Sequence, residues 1–108
     1  MQIGKITASN DNPLFLIAGP CVIESEALVF EVAETLKSLT AELGLGFVFK
    51  ASFDKANRSS HTSYRGVGLD KGLEIFAKLK KQLDVSVITD VHEDTPLDEV
   101  ADVVDMLQ

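Results

Sequence analysis

The apolar positions change period along the chain, and each change marks an element. Leu14-Phe15-Leu16-Ile17-Ala18 is a compact apolar run closed by Gly19-Pro20, which predicts a strand buried on both faces. From Ser25 to about Leu43 the spacing lengthens. Val29, Val32, Ala33, Leu36, Leu39 and Leu43 recur at three- and four-residue intervals and share one helical face. Glu24 and Glu26 stand at that helix's positive end and Gly44 supplies a stop. Residues 47–52 read as a second buried strand and residues 55–68 as a polar loop. Leu69, Gly72, Leu73, Phe76, Leu79 and Leu83 form the stripe of a second helix. Residues 85–91 are rich in the β-branched side chains that suit a pleated surface. Thr95 followed by Pro96 reads as an N-cap with a first-turn proline, Asp98 lying near the capping-box position. A short helix to about Ala101 then leads into a fourth strand over residues 103–108. Ahead of all this, residues 2–13 alternate weakly and end in Ser9-Asn10-Asp11-Asn12-Pro13, which predicts a short hairpin or flap.

Strands alternating with helices require crossover connections and therefore a parallel sheet in an α/β fold. Two architectures use such units. A doubly wound sheet is complete in little more than this length. A (β/α)8 barrel needs about 250 residues, so 108 residues would hold about three and a half units. The sequence shows no helix after its fourth strand, and a strand without its crossover would leave a bare edge. The expectation is the N-terminal part of a single barrel domain, residues 1–108, without an internal boundary.

Composition narrows the function. With 45% hydrophobic and 25% charged residues, the chain is too apolar for disorder. A formal charge of −7 repels phosphate backbones and anionic lipid, so neither nucleic acid nor membrane is an expected partner. One cysteine, Cys21, cannot form an internal disulfide, and no secretory or membrane-spanning pattern is found. A cytoplasmic location follows as an expectation.

Charge by position says more than the total. Lys50, Lys55, Arg58 and Arg65 face the single acid Asp54, so residues 50–65 carry +3 and the remainder −10. A basic island at the carboxyl end of a predicted strand is a candidate anion pocket. Ser52, Asn57, Ser59, Ser60 and Thr62 add short polar groups suited to phosphate oxygens. The other strand ends agree. The first delivers Gly19, Pro20 and Cys21, the third Asp90 and His92, and the fourth Gln108, all at the edge where parallel α/β folds build their sites. From the residues alone, Cys21 reads first as a small buried hydrophobe and only second as a metal ligand or nucleophile. Asp90 is a loop-orienting carboxylate or an active-site acceptor, and His92 a structural hydrogen-bonder. Glu93, Asp94, Asp98, Glu99 and Asp102 read as an exposed helical face. A receiver-type signalling module with Asp90 as phospho-acceptor is the alternative from another functional class. Against it, the first strand ends in Gly-Pro-Cys rather than paired acids.

Residues 50–66, Lys-Ala-Ser-Phe-Asp-Lys-Ala-Asn-Arg-Ser-Ser-His-Thr-Ser-Tyr-Arg-Gly, closely resemble the signature of the 3-deoxy-D-manno-octulosonate 8-phosphate synthases. The likeness continues through Ile88-Thr89-Asp90-Val91-His92-Glu93, through residues 100–108, and through residues 17–25 at the first strand. The related 3-deoxy-D-arabino-heptulosonate 7-phosphate synthases share the Gly-Pro-Cys start with a different phosphate loop, and a synthase using another aldose is the nearer alternative. The resemblance implies a (β/α)8 barrel that condenses phosphoenolpyruvate with arabinose 5-phosphate and releases phosphate, its product feeding lipopolysaccharide assembly. It places Lys50, Ser52 and Gln108 on phosphoenolpyruvate and Lys55 between the two substrates. Asn57, Arg58 and Ser59 would hold the sugar phosphate, partly across a subunit interface of a homo-oligomer, a tetramer by family resemblance. Asp90 would support the sugar hydroxyls or the lysines, making Lys55 and Asp90 the catalytic pair.

Cysteine at the end of the first strand is similar to the branch of that family that uses a divalent metal, with asparagine there in the metal-free branch. The resemblance thus implies Cys21 as one ligand of Mn, Fe, Zn or Co. The remaining ligands, and further phosphate-binding Lys and Arg, lie on later strands of the family. The 108-residue chain alone is accordingly expected to be inactive. One departure is His61-Thr62, where the family has an apolar residue and then His.

Overall fold

A computed structural model describes residues 1–9, 14–53 and 66–108. Gln2–Ile3 (β1) and Ile6–Thr7 (β2) pair antiparallel, the short hairpin anticipated from the sequence. Phe15–Ala18 (β3), Gly46–Lys50 (β4), Ser86–Thr89 (β5) and Met106–Leu107 (β6) form one sheet in chain order, each parallel to its neighbour. The crossovers carry the helices Glu26–Leu43 (α1), Leu69–Leu83 (α2) and Leu97–Ala101 (α3). This is a mixed α/β unit with a parallel sheet.

Local chemistry explains where α1 starts and stops. The Ser25 hydroxyl accepts the Leu28 amide at 3.1 Å, satisfying a donor the first turn cannot use internally. Gly44 turns left-handed at φ 70°, and the amides of Gly44 and Leu45 return to the Ala41 and Thr40 carbonyls, as an αL stop requires. The buried stripe, however, runs through Val29, Ala33 and Thr40, with Val32 and Leu36 beside it. Leu39 and Leu43 are 49% and 71% exposed, a correction to the expected face. Spacings of four, seven and eleven from Val29 select Ala33, Leu36 and Thr40. Thr40 tolerates burial because its hydroxyl donates to the Leu36 carbonyl at 2.9 Å.

The two faces of the sheet bury different things. Phe47, Phe49 and Val87 pack with Ala33, Ile75, Phe76 and Leu79 on the helix face. Phe49 and Phe76 are fully buried, each contributing about 1.5–3 kcal/mol relative to exposure. Val48 and Ile88 face the other way, against Ile3 of the hairpin, with Phe15 and Met106 alongside. On this hairpin face the period of two carries Val48 to Lys50, Ile88 to Asp90 and Met106 to Gln108.

Three further expectations are corrected. β3 is not buried on both faces: Leu16 is 37% and Ile17 41% exposed, because among the described residues it has a strand on one side only. α3 begins at Leu97 after Pro96, without a side-chain cap. The Thr95 hydroxyl instead accepts the His92 amide at 2.8 Å, while the Thr95 amide donates to the His92 carbonyl. The fourth strand is short, since the Val103 and Val104 amides still bond to Val100 in a turn.

The amino ends of the strands are tied by lysines. Lys5 pairs with Asp84, Lys37 donates to the Leu83 carbonyl, and Lys80 reaches Asp105 and the Val103 carbonyl. The hydrogen bond from Lys5 holds the Asp84 carboxyl below its ordinary value.

Candidate active site

Everything with chemical potential on the described strands gathers at the carboxyl edge, and close backbone approach makes this possible. A Cβ on Gly19 would lie 1.8 Å from the Lys50 carbonyl oxygen, so only glycine lets the end of β3 cross that of β4. Beyond it, Val22 bridges Ser52 in parallel and the Ile23 amide donates to the Ser52 carbonyl at 2.9 Å. On the other side, Gln108 continues the β5–β6 ladder: its amide donates to Thr89 at 2.9 Å and its carbonyl accepts Val91 at 3.1 Å. Lys50, Ser52, Asp90 and Gln108, expected from the sequence to share a site, are thus neighbours.

Side chains lock this edge. Ser52 is fully buried and its hydroxyl donates to Asp90 Oδ1. Thr89, also fully buried, donates to the Ala51 carbonyl at 2.8 Å, fixing the Ala51–Ser52 peptide. The second Asp90 oxygen, Oδ2, lies 3.6 Å from His92 Nε2, and both side chains remain about a quarter exposed, at 21% and 25%. Thr89 was not among the sequence candidates. Nothing in a lone β-branched threonine distinguishes a clamp from an ordinary strand residue.

Lys50 is half-buried on the same face. Lys5, Lys71, Lys78 and Lys80 have carboxylate partners, and Lys37 a carbonyl. Lys50 has none among the described residues. A cation partly withdrawn from water without a counter-ion is poised to accept an anion. A cavity of about 180 Å³ also opens at the carboxyl end, lined by Phe53, Gly68, His92 and Thr95 among others. Lys55, Asn57, Arg58 and Ser59, the rest of the expected substrate grip, lie outside the described residues, as do Arg65 and the His61-Thr62 departure.

Cys21 is exposed just past β3, which removes the buried-hydrophobe reading. An open thiol at a strand's carboxyl end is chemically fit to be one soft metal donor. Among the described residues no group of three or more His, Cys, Asp or Glu converges as a complete ligand set. Glu93, Asp94, Asp98, Glu99 and Asp102 are exposed, in line with the solvated face expected of them. No helix among the described residues is long and apolar enough to cross a membrane.

Comparison with known proteins bears on all of these residues together. A model described as the DAHP synthetase I family matches residues 1–108. A protein named 2-dehydro-3-deoxyphosphooctonate aldolase from Coxiella burnetii (strain RSA 493 / Nine Mile phase I) is 68% identical over 108 residues, covering 100% of this chain and 39% of the relative. One of the same name from Francisella tularensis subsp. novicida is 58% identical over the same span and shares. Another from Methylococcus capsulatus is 63% identical over 98 residues, 91% of this chain and 35% of the relative. The chain therefore spans about two fifths of the length of these relatives. The receiver-type alternative is overturned by these matches, which account for the strand ends and the basic loop at once. The chain belongs to the DAHP synthetase I family.

Proposed function

We propose that the chain forms the first strands of a (β/α)8 barrel that condenses phosphoenolpyruvate with D-arabinose 5-phosphate. The products are 3-deoxy-D-manno-octulosonate 8-phosphate and inorganic phosphate. The observation that carries this is Lys50: a half-buried ammonium without a described counter-ion, at the carboxyl edge. The names of the relatives support the same reaction.

Closure of the sheet would turn the hairpin face into the barrel interior and Lys50, Asp90 and Gln108 into its lining. In the reaction, the C3 carbon of phosphoenolpyruvate bonds to the aldehyde carbon of the sugar. The aldehyde oxygen takes a proton, water adds at C2, and phosphate leaves from C2. Lys50 and Gln108 would hold the anionic end of phosphoenolpyruvate, with Lys55 between the substrates. Asn57, Arg58 and Ser59 would take the sugar phosphate, the planar guanidinium suiting two phosphate oxygens. Asp90 repels both anions, so its useful partners are hydroxyls and ammonium groups, which it would orient. Cys21 would give a thiolate to a divalent cation, a group that supplies Lewis acidity toward the aldehyde or orders water when bound.

Turnover of the full-length protein with both substrates, followed by phosphate release, tests this. Arabinose 5-phosphate should support it and erythrose 4-phosphate should not. The opposite preference would replace the proposed reaction with that of a neighbouring aldose-phosphate synthase.

A further inference from the structure

The chain leaves β4 through Ser52 and Phe53, passes through residues 54–65 and returns at Gly66. The two ends of that excursion meet. The Phe53 carbonyl accepts the Gly68 amide at 3.1 Å, so the departing and returning backbones are bonded directly. Phe53 is buried, and glycines close on it at its carbonyl and at its Cβ. Gly66 has φ 125°, and a Cβ there would lie 2.3 Å from the Phe53 carbonyl oxygen and 2.9 Å from Val22 Cγ2. A Cβ on Gly72, in α2, would lie 2.5 Å from the Phe53 Cβ. The returning chain and the helix therefore reach Phe53 only because both present bare backbone.

The chain just before this neck is held by other partners. The Ala51 carbonyl accepts the Thr89 hydroxyl at 2.8 Å, and the Ser52 carbonyl accepts the Ile23 amide at 2.9 Å. A disturbance at Phe53 is stopped there before it reaches Lys50. Lys55, in contrast, is tied to Phe53 by covalent reach, since two residues of extended chain span at most about 7 Å.

We propose that Phe53, packed against Gly66 and Gly72, is the positioning residue that fastens the loop bearing Lys55, Asn57, Arg58 and Ser59. It thereby sets the grip on the sugar phosphate and leaves that on phosphoenolpyruvate alone. The inference rests on the synthase reading above and deepens it, giving the two substrates separately anchored halves of one site. A grip whose base is already fastened loses less freedom when its ligand arrives.

The test uses Gly66→Ala, Gly72→Ala and, as a control, Gly44→Ala in the full-length protein. Gly44 has φ 70° and nothing within 4 Å of an added Cβ. Alanine there strains the backbone, as at Gly66, but presses on no neighbour. Gly66→Ala should raise the KM for arabinose 5-phosphate about 10- to 100-fold, the cost of a misplaced binding group. The affinity for phosphoenolpyruvate, read by calorimetry, should stay within about twofold. Gly72→Ala keeps a helical backbone, so it guards against misfolding of the first variant. It should show the same split at about three- to tenfold, and its melting temperature should not rise as glycine-to-alanine changes in helices ordinarily make it do. Gly44→Ala should lower the melting temperature and leave both substrates unaffected.

A substrate-free readout separates the neck from the reaction. Amide exchange of the peptide covering residues 66–72 should quicken in Gly66→Ala and Gly72→Ala, as the Gly68 amide loses its acceptor, and not in Gly44→Ala. Unmoved exchange, an unchanged KM for the sugar phosphate, or phosphoenolpyruvate affinity falling in step with it would each overturn the proposal. A wild-type protein inert toward both substrates defeats the synthase reading, and the exchange then decides the fastening by itself.

Discussion

At the amino ends of the strands, Lys5 meets Asp84, Lys80 meets Asp105 and Lys37 meets a helix-end carbonyl. At the carboxyl ends, Lys50 has no described counter-ion, and Asp90 accepts the Ser52 hydroxyl, with the His92 imidazole 3.6 Å from its other oxygen. The larger cavity, about 400 Å³ and lined by Lys5, Lys37, Lys80, Asp84 and Asp105 among others, is at the amino end, against about 180 Å³ at the other. Size alone would direct a ligand to the amino end. The lysines around the larger cavity already have partners, carboxylates for Lys5 and Lys80 and a carbonyl for Lys37, and tie the hairpin and the helix ends together. Lys50, on the carboxyl edge, has no counter-ion among the described residues. On the function proposed above, the two ends differ in that the lysines lining the amino-end cavity have partners, whereas Lys50 has no counter-ion among the described residues.

That difference is open to experiment. The largest effect should come from Lys50→Met, which is expected to lower kcat/KM of the full-length protein about a hundredfold or more, as removal of a preorganised donor does. Phosphate release is the measurement. Gly19→Ala should come next. It forces a methyl group against the Lys50 carbonyl, and a destabilisation of about 1–3 kcal/mol or more is expected in urea unfolding, with activity falling in parallel. Ser25→Ala deletes the α1 cap far from the mouth. It should cost about 1 kcal/mol of stability and leave kcat and KM as they are.

The smallest effect belongs to the exposed pair at the amino end. Folding lowers the Asp84 carboxyl below its ordinary 3.8 through Lys5. The stability this contributes is therefore complete above that value and fades as the pH falls through the lowered one. Lys5→Ala should flatten the acid side of the stability profile below about pH 4, with no change in turnover at neutral pH. Thermal unfolding across that range checks it. Salt should weaken the pair in the wild type, since both groups are exposed.

How far the sequence discloses these features depends on the range of the interaction responsible. The bounds of α1 are legible because Ser25 and Gly44 act on amides and carbonyls within a few residues. α2 is legible because its apolar stripe is strong, although Ile75 joins the core unannounced. The exposure of Leu16 and Ile17 was not, because an apolar run says nothing about what lies beside its strand. Thr95 shows the same limit on a smaller scale. As a cap candidate it was sound, but the His92 amide was the nearer donor. Parity along β4, β5 and β6 puts Lys50, Asp90 and Gln108 on one face at the carboxyl edge. The Ser52–Asp90 bond spans 38 residues of sequence, and only the parallel register joins its ends. The basic loop from Lys55 to Arg65 was read from composition and resemblance, and its geometry falls outside the described residues.

The most direct measurement compares two lysines from opposite ends of the sheet. Phosphoenolpyruvate is titrated into full-length protein by calorimetry, as wild type, as Lys50→Met and as Lys37→Met. Binding should weaken at least about tenfold in Lys50→Met, the loss of one charge-assisted contact, and stay within about twofold in Lys37→Met. Unchanged affinity in Lys50→Met, with binding lost in Lys37→Met, would place the anion site at the larger cavity and contradict the assignment of function to the carboxyl edge.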